Sequence, residues 1–94
     1  MANYWGAGRL GTAQSVAYTG TAGTIATAIG AGVQKVRVIV TTAAYIKIAK
    51  DPTATTSDTY MAAGAAEYFT CAEGEKVSAV QVASGGTLQV TEIV

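Results

Sequence analysis

The sequence predicts an antiparallel all-β domain of the sandwich type. Three observations carry that expectation. Short runs of β-branched and aromatic residues alternate apolar and polar with period two. Glycine, proline and Ser/Thr clusters punctuate them at short intervals. No convincing segment repeats its apolar residues at helical spacing. About eight such runs fit in the chain, so an eight-strand jelly roll is the expected topology and an immunoglobulin-like sandwich the alternative. Consecutive strands of a jelly roll often cross between sheets, so the hairpins read below are also candidate corners.

Residues 1–13, MANYWGAGRLGTA, combine a glycine-rich backbone with Tyr4, Trp5, Arg9 and Leu10. They read as an extended N-terminal arm, with residues 14–94 as a single β-sandwich domain. A frayed terminus is the plain alternative. Rings on a loose backbone gain from burial only against the domain or against another subunit, and aromatic residues are enriched at interfaces. Tyr4, Trp5, Arg9 and Leu10 are therefore the first contact candidates.

Residues 14–18 and 24–28 are short strand candidates on either side of TGTAG, a turn cluster, and together read as a second, weaker hairpin. An Ala-rich helix over 21–31 competes with this reading. Gly23, Gly30 and Gly32 oppose it, each costing about 1 kcal/mol against alanine in a helix.

The longest strand-forming run is VQKVRVIVTTAAYIKIA, residues 33–49. It reads as a hairpin. A three-residue loop over 42–44 pairs Val40 with Ile46 and Val38 with Ile48, which keeps apolar partners on one face. The opposite face then carries Arg37, Lys47 and Ile39. Residues 50–58 hold the only proline, Pro52, and read as a solvated loop. Residues 59–63 and 66–71 are strand candidates around Gly64, and 72–75 is an acidic turn. Residues 76–83 and 87–93 read as a closing hairpin that pairs Val82 with Leu88 and Val80 with Val90. On its other face it sets Val77 against Ile93. The expected core is Val36, Val38, Val40, Ile46, Ile48, Val80, Val82, Leu88 and Val90. Ile39, Val77 and Ile93 are left on the second face as candidates for subunit contact.

At 94 residues the chain fits one domain, which hides only about 60–65% of the surface of its unfolded form. Half the residues are hydrophobic, but many are alanines, which remove little area from water. A subunit interface is therefore expected to help. Six basic residues balance six acidic ones, so the cationic excess of a dedicated nucleic-acid or anionic-membrane binder is missing. Lys35, Arg37 and Lys47 read as a solvated sheet face. There is neither a signal-peptide pattern nor an apolar run long enough to span a bilayer, so a soluble, unsecreted protein is expected.

Catalytic chemistry has little to work with. The chain has no histidine, which removes the commonest general base, the usual triads and most transition-metal sites. Glu73 and Glu75 flank Gly74 in a solvated turn, a poor setting for an acid and base pair. Asp51 and Asp58 bracket a loop without the acidic density of a calcium cage. Cys71, the single cysteine, has no base to activate it and reads as a small core residue. GAGRLG, residues 6–11, lacks the preceding strand of a nucleotide loop. No catalytic residue, metal or cofactor is expected.

From KVRVIV to SGGTLQVTEI the C-terminal two thirds of the chain resembles small structural proteins of tailed bacteriophages. The resemblance rests on a strand ending in a Thr-rich turn, the aromatic strand 45–48, a DPTAT loop, the YMAAGAAEYF segment, a GEKV turn and the closing SGGTLQVTEI stretch. It implies a β-sandwich or jelly-roll module of the virion, of the kind that includes capsid decoration, or cement, proteins. Its expected partners are then the major capsid protein and itself, as a homotrimer. Neither nucleic acid nor membrane is an expected partner. The expected location is the capsid surface, after synthesis in the host cytoplasm. A tail, fibre or head–tail component, or a small jelly-roll carbohydrate-binding module, is the alternative. The scarcity of Asn and Trp, one of each and both in the arm, favours the structural role over sugar binding.

Overall fold

A computed structural model describes residues 9–94. Eight strands follow in chain order: β1 (Leu10–Tyr18), β2 (Gly23–Thr24), β3 (Lys35–Val40), β4 (Ala44–Ala49), β5 (Thr59–Met61), β6 (Glu67–Thr70), β7 (Lys76–Gln81) and β8 (Gly86–Ile93). They form two four-stranded sheets, β1-β8-β3-β6 and β2-β7-β4-β5, and every pairing is antiparallel. First strand pairs with last, second with seventh, third with sixth and fourth with fifth, as in one long hairpin wrapped on itself. The β8–β3 and β7–β4 pairings close the two sheets. This is the jelly-roll arrangement expected from the strand count. No helix occurs among the described residues.

Alternation explains why the layers pack. In β3, Val36, Val38 and Val40 are fully buried while Lys35, Arg37 and Ile39 are only half-buried. Leu88 and Val90 of β8 stand beside Val40 and Val38 in the same sheet. Ala44 and Ile46 of β4, with Val77 and Ala79 of β7, supply the other wall of one continuous core. Each large aliphatic side chain buried there contributes about 1.5–3 kcal/mol.

Three expected hairpins are corners, the weaker one between β1 and β2 among them. β3 and β4 lie in different sheets, and so do β7 and β8. Val40 pairs with Leu88, not Ile46, and Val38 pairs with Val90 on one side and Glu67 on the other. Val80 pairs with Tyr45 on the outside of the second sheet. Val82 lies beyond β7 and is 42% exposed, outside the core where the sequence reading put it. The physical cause is simple. Apolar residues on alternate positions satisfy themselves equally well side by side in one sheet or face to face across a core.

The β3–β4 and β7–β8 corners meet at one end of the sandwich. The buried Tyr18 donates its hydroxyl to the Thr42 carbonyl at 2.5 Å and accepts from the Thr42 N–H at 3.2 Å. Thr42 Oγ1 donates to the Ser84 carbonyl at 2.9 Å, and the Thr87 N–H donates to Thr41 Oγ1 at 2.8 Å. Gly86 is needed here, because a Cβ would lie 2.5–2.7 Å from Thr42 Oγ1, Thr41 Oγ1 and Tyr18 Oη.

Two further segments differ from expectation. Leu10 to Ala13, assigned to the arm, belong to β1, although a bulge between Leu10 and Ala13 shifts their register. The loop after β4 is not fully solvated, since Pro52 and Ala54 are buried. Ala54 N–H donates to Ser78 Oγ at 3.0 Å, and Thr24 Oγ1 lies within hydrogen-bonding distance of Ser78 Oγ at 3.1 Å and of the Pro52 carbonyl at 3.3 Å. Ser78 is thereby a buried polar residue with its hydroxyl satisfied.

Candidate functional site

The sequence-predicted contact residues separate into three groups. Tyr4 and Trp5 lie outside the described residues. Val77 is a correction: it is fully buried in the core, because β7 turns Val77 and Ala79 inward and never pairs with β8. Leu10, Ile39 and Ile93 share the outer face of the first sheet, whereas Arg9, paired with Val94, takes the opposite parity.

Register assembles this face row by row. Thr70, Lys35, Ile93 and Leu10 line up across β6, β3, β8 and β1. Tyr68, Arg37, Thr91 and Ala13 form the next row, and Ile39, Gln89 and Ser15 the third. Leu10 is 73% exposed and Tyr68 is 48% exposed. Thr91 and Ile93 are buried despite pointing outward; the half-buried Lys35 and Arg37 stand beside them, and long basic side chains cover apolar surface with their stems while their charges stay in water.

Charge on this face is one-sided. Lys35 and Arg37 occupy it, and none of the residues in its rows is acidic. Glu92 takes the inward parity, beside Val36, and accepts from the Gly30 N–H at 3.0 Å. Below the charged rows, Ser15, Ile39, Thr41, Gly64, Thr87 and Gln89 line a shallow groove of about 400 Å³. It offers hydroxyl, amide and aliphatic surface without a titratable group.

Two of the carboxylates considered for chemistry, Glu75 and Asp58, are used for folding. Glu75 Oε1 accepts from the Ala72 N–H at 2.7 Å, closing the turn in which Gly74 adopts a φ of 86°. Asp58 Oδ2 accepts from the Thr55 N–H at 2.7 Å, and the Asp58 N–H donates back to the Thr55 carbonyl at 3.0 Å. Among the described residues no group of three His, Cys, Asp or Glu side chains is placed to hold a metal. Cys71 packs against the core, and its thiol is pushed above the ordinary value by partial burial and then by the charges of Glu75 and Glu92. That opposes thiolate formation, the reverse of what a nucleophile needs.

The second sheet differs on its outer side. Tyr45 and Tyr60 meet edge to face with centroids 6.1 Å apart, next to Val80. None of these aromatic residues lines the groove on the first sheet.

The sequence could not reveal the rows themselves. Lys35, Arg37, Thr91 and Tyr68 come from three strands far apart in the chain, and only the β3–β8 and β3–β6 pairings make them neighbours.

No family model, curated protein or solved structure matches this chain.

Proposed function

We propose that this protein is a structural component of a tailed-phage virion, a decoration or cement protein that adheres to the head lattice formed by the major capsid protein. The observation that carries the reading is the outer face of the first sheet. It is a sheet surface with Lys35 and Arg37, no carboxylate in its rows, and the apolar residues Leu10, Ile39 and Tyr68 around them. Such a surface suits a neutral-to-acidic protein partner: the cations steer and pair with carboxylates, and the apolar residues are buried on contact. A sugar-binding module is the weaker reading, because its groove would need a stacking ring and the lining residues Ser15, Ile39, Thr41, Thr87 and Gln89 include none.

Arm and face are tested together. Phage heads lacking the protein are mixed with the intact chain, with a chain missing residues 1–13, with Trp5→Ala, and with Lys35→Glu/Arg37→Glu, and co-sedimentation is scored beside thermal melts. The charge-reversed variant should melt within a few degrees of the parent yet bind at least tenfold more weakly, since like charges are then set against an acidic partner. Trp5→Ala should account for a large share of the loss seen on removing the arm, as aromatic anchors do at hot spots. Intact protein that fails to sediment with heads removes the reading altogether.

A further inference from the structure

Each sheet of an open sandwich has two edges, and an edge strand with unpaired N–H and C=O groups invites pairing by another chain. Three of the four edges here are protected by brevity: β2 has 2 residues, β5 has 3 and β6 has 4. β1 is the exception, with 9 residues, LGTAQSVAY. It contains no charged residue and no proline, nothing charged follows until Lys35, and its one irregularity, the bulge between Leu10 and Ala13, leaves the stretch from Ala13 onward regular. Among the described residues β8 is its only strand partner.

The hydrogen-bond pattern shows which groups of β1 are left over. Val94 exchanges backbone bonds with Arg9 at 2.8 Å in each direction, whereas the Thr87 carbonyl receives the Thr41 N–H on the β3 side. Along β8, therefore, even-numbered residues aim their backbones at β1 and odd-numbered ones at β3. Gln14, Val16 and Tyr18 face Val90, Leu88 and Gly86, so their N–H and C=O groups are used inside the sheet. The backbones of Ala13, Ser15 and Ala17 point to the open edge. Gly23 closes in on the Ala17 carbonyl, leaving no room there even for a Cβ, and the bulge distorts the strand before Ala13. Ala13 and Ser15 are the regular, accessible stretch, and both are exposed.

We infer that β1 pairs antiparallel with β1 of a second copy of this chain, about a two-fold axis at Gln14, so that Ala13 meets Ser15 of the second copy and Ser15 meets its Ala13. This register keeps outward-pointing backbones opposite each other and sets its hydrogen-bonded pairs at Ala13 and Ser15, between the bulge and Gly23. It joins two four-stranded sheets into one of eight strands. A second copy is the occupant because it brings the same open edge, so one contact covers both, and because an uncharged strand meets its own copy without like-charge repulsion. The small side chains of Ala13 and Ser15 let the strands approach. Gln14 is already fixed on the inner side, where its amide accepts from the Thr27 N–H at 3.0 Å and donates to the Thr27 carbonyl at 2.8 Å.

The test uses the full chain, with light scattering and residue-resolved amide exchange over a concentration series. The expected result is a dimer at high micromolar concentration, with exchange at Ala13 and Ser15 slowing as concentration rises while Gln14 and Val16 stay protected throughout. Ser15→Pro removes an N–H that makes no bond within the sheet, and should give a folded monomer. Ala13→Lys/Ser15→Lys places like charges opposite each other across the axis and should do the same if the proline variant does not fold. Ser15→Ala should remain dimeric. A monomeric or trimeric parent chain, a folded proline or double-lysine variant that still dimerises, or concentration-independent exchange at Ala13 and Ser15 would each overturn the inference. Lattice binding is read separately, so either result leaves the capsid assay interpretable.

Discussion

On the second sheet the outward-pointing Ser78 and Val80 are buried, Ser78 under the chain's own loop through Pro52 and Ala54, and Val80 beside Tyr45. On the first sheet Thr91 and Ile93 are buried only beside the long basic side chains, and the outward-pointing Lys35, Arg37, Ile39 and Tyr68 remain within reach of solvent. Both sheets are built from similar alternating strands, so the difference lies in what the chain supplies to cover them. A face covered from within needs a buried hydroxyl to receive the covering backbone, and Ser78 provides it. An uncovered face keeps charges over its apolar patches, and the patches stay available for another molecule.

The largest effect should come from striking the layer that both faces share. Val38 is fully buried between the sheets. Val38→Asp introduces an unpaired charge costing several kcal/mol against a total stability of about 5–15 kcal/mol, so the domain should unfold. Far-ultraviolet circular dichroism and a urea titration check this; a soluble variant with the parent's melting curve would mean that the inward face of β3 is misassigned.

A smaller effect separates the two faces. Ser78→Ala leaves the buried Ala54 N–H without its acceptor, and should cost about 1–3 kcal/mol while releasing the 50–58 loop. Limited proteolysis within that loop should accelerate in the variant. Equal loop protection in parent and variant would show that the covering does not depend on Ser78. By contrast, Lys35→Glu/Arg37→Glu on the other face should act mainly on lattice binding, with a smaller loss of stability from uncovering Thr91 and Ile93.

The smallest effect lies at the end of the first sheet, just past β6. The raised pKa of Cys71 means that the folded chain holds its thiol proton more tightly than the unfolded chain does. The associated stability is intact below the unfolded thiol's pKa and is lost as pH rises through the folded value. Alkylation by iodoacetamide should therefore follow a titration displaced to alkaline pH from that of the urea-unfolded chain, and Glu75→Gln should move it partway back. Coincident folded and unfolded titrations would remove the charge and burial argument for this residue.

The sequence by itself determined the class of fold and the facing of single strands. Val36, Val38 and Val40 could be assigned to the interior and Arg37 and Ile39 to the exterior from alternation alone, because side chains in a strand point to opposite sides with period two. The corner at Thr41 and Thr42 was legible as a break for the same reason. Which strand lies beside which was decided only in three dimensions. The hairpin reading of 33–49 and the jelly-roll corner bury the same valines and isoleucines, so local pattern energy does not separate them. Tyr18 reaching Thr42 and the close approach at Gly86 fix the corner, and both are contacts between residues distant in the chain. The candidate surface has the same origin. Leu10, Ile39 and Ile93 were visible as unplaced apolar residues, but their gathering beside Lys35 and Arg37, the withdrawal of Val77 into the core and the open edge at Ala13 and Ser15 all follow from β8 lying between β1 and β3, a pairing that joins the two ends of the described chain.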